Sequence, residues 1–146
     1  MTSTAQAIRI THVGTVFVPV ADQERALAFY VDKLGFEKRA DFPYGEGSRW
    51  IEVAPEGSAI AVALVPPGEG RTTGSDEARC ALASEDIEAD HASLRAAGVD
   101  VDAEIARAGR RRAGLVSLDA TIADPMPPQF CFRDTEGNRF LVVGVT

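Results

Sequence analysis

The sequence has little of what oxidative, membrane or nucleic-acid chemistry needs. Among 146 residues there are two cysteines, two histidines and one tryptophan. Cys80 and Cys131 each sit in an apolar, strand-like run. They read as small buried hydrophobes, with neither a disulfide framework nor a metal-ligand spacing. Fifteen Lys and Arg stand against 22 Asp and Glu, for a net charge of -7. Without a basic stripe interleaved with aromatics, no nucleic-acid partner is expected. No apolar run approaches the ~18 residues of a membrane span, so no membrane partner is expected either. Met1 to Ala7 lacks the apolar stretch of a secretory leader, and the expected location is the cytoplasm. There is no Gly-x-Ser-x-Gly nucleophile elbow. The glycine-rich run Gly68 to Gly74 lacks the Lys-Ser/Thr ending of a phosphate loop, and it reads as a linker.

What the sequence does have is a repeat. Asp22 to Tyr30 runs into Leu34-Gly35-Phe36, and 64 residues later Asp86 to Leu94 runs into Ala97-Gly98-Val99. In each copy an Asp stands where a helix N-cap would accept orphan N–H groups. Apolar residues then follow at helical spacing, and a glycine closes the helix. Strands are expected over Val13–Val20, Phe36–Phe42, Arg49–Ala54 and Ala59–Val65. In the second half they are expected over Ala78–Ala83, Val99–Ile105, Phe130–Arg133 and Asn138–Val145. The fold class is therefore α+β, with two βαβββ modules. Length alone gives one domain, here residues 8–146. Module one covers about 8–66, a linker 67–76 and module two 77–146. The turns Pro55-Glu56-Gly57 and Asp134-Thr135-Glu136-Gly137 look equivalent, which aligns Trp50 with Phe130 and Glu52 with Phe132. Ala106 to Pro128 is an additional long loop carrying Arg107, Arg110, Arg111 and Arg112. Loops of that length serve as lids or contacts, or are solvated surface.

Two phrases carry a family resemblance. The first is Val18-Pro19-Val20-Ala21-Asp22 with Arg25-Ala26, Phe29-Tyr30 and Leu34-Gly35-Phe36. The second is Phe132-Arg133-Asp134-Thr135-Glu136-Gly137-Asn138-Arg139-Phe140. Together they make the chain resemble the vicinal oxygen chelate superfamily, which includes glyoxalases, bleomycin-resistance proteins and extradiol dioxygenases. The resemblance spans roughly Ile10 to Val145. It implies a cup-shaped β-sheet with helices outside, and in the metal-dependent members a divalent ion held on the first and last strands of each module. Those positions correspond here to Thr15, to Ala61 or Ala63, to Arg79 and to Leu141. None is a usual metal ligand, and a fixed Arg79 cation would repel a divalent ion. The expectation is no metal and no cofactor. His12 and His91 are expected on the surface.

Within the cup, Thr15, Phe17, Trp50, Glu52, Arg79, Phe130 and Leu141 are the candidate ligand-binding residues, with Tyr44 as a further aromatic. Glu52 is the candidate acid or base, and Arg79 the candidate anion anchor, through paired hydrogen bonds. The resemblance implies a homodimer that binds a small, aromatic or amphipathic molecule without metal. A metal-independent lyase or isomerase using Glu52 and Arg79 is the alternative. A metal-dependent enzyme with displaced ligands is a third reading.

Overall fold

Both helices start where the repeat places them. In the computed structural model, which describes residues 7–43, 45–68, 73–107 and 127–145, an Asp22 carboxylate oxygen accepts from Arg25 N at 3.0 Å. The Asp86 carboxylate accepts in the same way from Ala89 N at 3.1 Å. These caps open α1 (Gln23–Ala28) and α2 (Ile87–Ala96). Gly35 and Gly98 follow with φ of 75° and 79°, a conformation that side chains disfavour and glycine adopts freely. The first helix does not finish as an α-helix. It widens into a π-helical turn over Phe29–Lys33, with Leu34 N bonded to Phe29 O at 3.2 Å. The wider turn lets two consecutive aromatics, Phe29 and Tyr30, both be buried.

Module one contributes β1 (Thr15–Pro19), β2 (Glu37–Pro43), β3 (Arg49–Ala54) and β4 (Ala61–Val65), in the sheet order β1-β4-β3-β2. Module two contributes β5 (Ala78–Ser84), β6 (Asp100–Val101), β7 (Gln129–Arg133) and β8 (Arg139–Gly144), in the order β5-β8-β7-β6. In each sheet the first and last strands run parallel and the rest are antiparallel. The βαβββ pattern is thus present twice. β1 begins at Thr15, two residues later than expected. β6 is much shorter than the expected Val99–Ile105, for a local reason. Asp102 N donates to Cys131 O, but Cys131 N turns to the Asp102 side chain, at 2.8 Å. A buried carboxylate takes the place of a ladder carbonyl, and regular pairing stops there.

Alternation divides each sheet into two faces. Val18, Ile51, Val53, Val62 and Leu64 of sheet one join Phe130, Phe132, Phe140 and Val142 of sheet two in one buried cluster with Phe29, Tyr30 and Leu94. Phe132 and Phe140 stack with centroids 5.3 Å apart, and Tyr30 meets Phe140 edge-on at 5.9 Å. Burying each such ring contributes about 1.5–3 kcal/mol.

The β7–β8 turn adds a polar latch between the modules. The Tyr30 hydroxyl donates to Asp134 Oδ2 at 2.6 Å. Asn138 Nδ2 donates to the Pro19 carbonyl at 2.9 Å and to Asp134 Oδ2 at 3.1 Å. Asp22 N reaches the Glu136 carboxylate at 2.9 Å. Asp134 and Asn138 are buried, where a missing partner would cost about 1–3 kcal/mol. This is the structural work of the second family phrase.

Candidate functional site

The face of sheet one turned away from the helices carries the odd-numbered residues of β1 and the even-numbered residues of β3. Thr15 lies beside Ala61, Phe17 beside Ala63, and Ala63 beside Glu52. Glu52 is next to Ala40, and Trp50 next to Phe42. Small Ala61 and Ala63 in the central strand leave room for the rings on either side. Phe17 and Trp50 meet edge to face with centroids 5.9 Å apart and planes at 74°. The Trp50 indole N–H donates to Glu52 Oε2 at 2.6 Å, which fixes the ring's orientation. Phe17 is 53% exposed although it is a large apolar side chain in a strand. With Val65, Pro66, Pro67 and Ser48, Phe17 and Trp50 line an open groove of about 530 Å³.

Thr15, Phe17, Trp50 and Glu52 are therefore brought to one face. Tyr44 and most of the Ala106–Pro128 loop lie outside the described residues. Leu141 is on the corresponding face of sheet two, paired with Cys131 and Ala81.

Phe130 is placed differently. It is fully buried on the helix side, its ring 4.9 Å from that of His91. The reason is a one-residue difference between the hairpins. Ile51 pairs with Leu64 in module one, and Phe130 with Val142 in module two, so the module-one connection is one residue longer. The residue equivalent to Phe130 is Ile51, and the equivalents of Trp50 and Glu52 are Gln129 and Cys131. A shift of one position exchanges the faces. His91 is half-buried rather than a surface residue, with Nε2 2.7 Å from the Asp102 carbonyl oxygen. His12 lies before β1, 2.8 Å from the Thr11 hydroxyl, and is exposed.

Arg79 and Glu52 have separate neighbours. Arg79 Nε donates at 3.0 Å to Asn138 Oδ1, which also accepts from Gly74 N at 3.1 Å. Arg79 thus joins the latch between the modules. Among the described residues no three His, Cys, Asp or Glu side chains cluster as a metal site. The groove walls, Ser48 and Val65 to Pro67, are contributions the sequence reading missed. The Pro66-Pro67 pair straight after β4 was the available signal, since its fixed backbone ends the strand and builds a wall.

Comparison with known proteins agrees with this architecture. The model of the Glyoxalase/Bleomycin resistance protein/Dioxygenase superfamily matches residues 9–142. YetH of Bacillus subtilis (strain 168) is 33% identical over 91 residues, covering 62% of this chain and 76% of YetH. TnmS3, an antibiotic binding protein from Streptomyces sp. CB03234, superposes with a TM-score of 0.75 at 32% identity, covering 96% of this chain and 100% of TnmS3. A superfamily member from Sphaerobacter thermophilus DSM 20745 gives a TM-score of 0.73 at 28% identity, covering 94% of this chain and 100% of its own. No helix among the described residues is long and apolar enough to cross a membrane.

Proposed function

The chain belongs to the glyoxalase/bleomycin resistance protein/dioxygenase superfamily, and from that premise we propose that it binds a small planar aromatic or amphipathic molecule on the open face of sheet one. The observation that carries this reading is the Phe17–Trp50 pair, Phe17 exposed and Trp50 half-buried, with the indole held by the Glu52 carboxylate over a floor of alanines. Aromatic rings set edge to face leave a π-surface on which a planar ligand can stack. A few polar groups in a mostly apolar groove are typical of small-molecule sites. The similarity to an antibiotic binding protein at 32% identity supports the binding of a small molecule.

The binding form is a homodimer. Phe17 and Phe42, at 53% and 50% exposure, place apolar surface on the same face, and a second copy is the partner that covers part of it. Binding without turnover is favoured over a lyase or isomerase, because Glu52 is engaged by Trp50 and Arg79 by Asn138. No metal is assigned a role.

Trp50 is the only tryptophan, so its fluorescence reports on the groove directly. Titration with a panel of planar aromatic antibiotics and metabolites is expected to quench or shift it saturably. Phe17→Ala is expected to weaken binding about tenfold. An unresponsive Trp50 across the panel, or equal affinity in Phe17→Ala, would sink the proposal. Sedimentation velocity tests the dimer, with Phe42→Asp expected to shift the protein toward monomer.

A further inference from the structure

Charge is unevenly matched in sheet one. Its strands carry three cations, Lys38, Arg39 and Arg49, and three carboxylates, Glu37, Asp41 and Glu52. Each cation is paired with an acid other than Glu52. Lys38 Nζ lies 3.2 Å from Asp41 Oδ2, and Arg39 Nε 3.0 Å from Glu37 Oε1. Arg49 reaches Asp41 at 2.6 Å and Glu24 of α1 at 2.5 Å. Arg49 alternates with Trp50 along β3, and Asp41 pairs with Ile51, so this ion pair faces away from the groove.

Glu52 is the strand carboxylate left without a cation. It is half-buried. Its Oε2 accepts the Trp50 indole N–H at 2.6 Å, while Oε1 has no hydrogen bond or ion pair among the described residues. A neutral N–H occupies one acceptor position of a carboxylate and leaves its charge in place. Arg79, the cation expected opposite this face, is bonded to Asn138 instead. Among the described residues lining the groove, the one charged side chain is Glu46, exposed at its edge, and no Lys or Arg contributes.

The rings favour the same sign of charge as the carboxylates. The face of an indole or phenyl ring is the negative end of its quadrupole, and it attracts a cation within about 6 Å of the ring centre, most strongly where water is partly excluded. Donation of the indole N–H to an anion polarises that ring further. A net charge of -7 also draws cations toward the protein from solution.

We propose that the ligand of the Phe17–Trp50 groove is a planar aromatic cation, a ring system carrying a protonated amine or amidine; this rests on the stacking reading given above. The rings of the ligand lie against Trp50 and Phe17, and its charged N–H donates to Glu52 Oε1 in a charge-assisted hydrogen bond. Stacking supplies affinity for planar molecules in general, and Glu52 selects among them by charge, with Glu46 adding a weaker, solvent-screened attraction.

Three matched probes test this: anthracene bearing an aminomethyl, a hydroxymethyl or a carboxylate group at the same ring position, each titrated at neutral pH against Trp50 fluorescence. The amine is expected to bind about tenfold tighter than the alcohol, with the carboxylate weakest, and the amine's advantage is expected to shrink as salt is added. Glu52→Gln keeps an oxygen to accept the indole N–H and removes the charge. It is expected to cut the ratio of amine to alcohol affinity to about threefold or less. If Glu52 did no more than hold Trp50, the substitution would move both affinities together and leave that ratio intact, which would overturn the proposal. Equal binding of amine and alcohol to the wild type, or tightest binding of the carboxylate, would overturn it too while leaving the stacking reading in place. Failure of all three probes to quench Trp50 would remove both.

Discussion

The two modules share one chain path and differ in what their hairpin turns do. In module one the β3–β4 turn is peripheral, tied down by Arg39 donors to the Pro55 and Ser58 carbonyls. In module two the shorter β7–β8 turn is buried, and it holds Tyr30, Asn138, the Pro19 carbonyl and Arg79 in one network. The one-residue difference also decides what faces outward. Module one puts Phe17, Trp50 and Glu52 on its open face, whereas β7 turns its phenylalanines to the core and sets Gln129 and Cys131, both buried, on the opposite face. A duplicated unit has thus been divided between an open aromatic face in one copy and a joint in the other, with little change in backbone plan.

The substitution pair Phe130→Ala and Phe17→Ala breaks this comparison most strongly. Phe130 is fully buried, and its truncation is expected to cost about 3–5 kcal/mol of unfolding free energy while the folded fraction still titrates normally through Trp50. Phe17→Ala is expected to cost under about 1 kcal/mol and to impair the titration. Urea denaturation followed by circular dichroism measures both costs. Similar stability losses in the two variants would contradict the opposite facing of these rings.

The next largest effect concerns the latch. Tyr30→Phe removes one charge-assisted bond to a buried carboxylate, at an expected cost of about 1.5–3 kcal/mol. It also has a pH signature. Burial, and then the neighbouring Asp134 charge, hold the Tyr30 hydroxyl well above its ordinary 10.0. The native state therefore keeps this proton at a pH where the unfolded chain has begun to lose it. Its contribution is complete below that value, and stability falls as the pH rises through and beyond it. Denaturant midpoints measured upward from neutral pH are expected to drop less steeply in Tyr30→Phe than in the wild type. Parallel curves would remove Tyr30 from the alkaline limb.

Much of the fold was legible in the sequence because its signals are local. An Asp cap and a closing glycine mark each helix within a dozen residues, and β3 was legible to the residue at Arg49–Ala54. The faces of β7 were not legible. Composition marks Pro55-Glu56-Gly57 and Asp134-Thr135-Glu136-Gly137 as turns without giving their length, and one residue is enough to move Phe130 from face to core. β6 ended early because Asp102 takes a place in the ladder, a contact 29 residues away in sequence. Arg79 was legible as a cation opposite Thr15 in the repeat. Its Asn138 partner lies 59 residues further on, beyond any periodicity argument. Phe17 and Trp50 were recoverable because alternation from a correctly placed strand is enough to put them on one face.

The smallest effect expected is a difference between two glycines, and it isolates what the buried turn demands. Gly57, in the module-one turn, has φ of 80° and open space where a side-chain methyl would stand, while Gly74, in the linker, has φ of 77° and would set that methyl 3.1 Å from the Glu136 carbonyl oxygen. Both Gly57→Ala and Gly74→Ala carry the left-handed backbone cost of about 1–2 kcal/mol. Only Gly74→Ala adds crowding against a backbone atom that belongs to the β7–β8 turn and cannot swing aside. That addition is expected to be about 1 kcal/mol, read as the gap between the two variants' urea midpoints at constant slope. A vanishing gap would mean that the linker yields at Gly74, and that the turn in module two is no more tightly enclosed than its counterpart in module one.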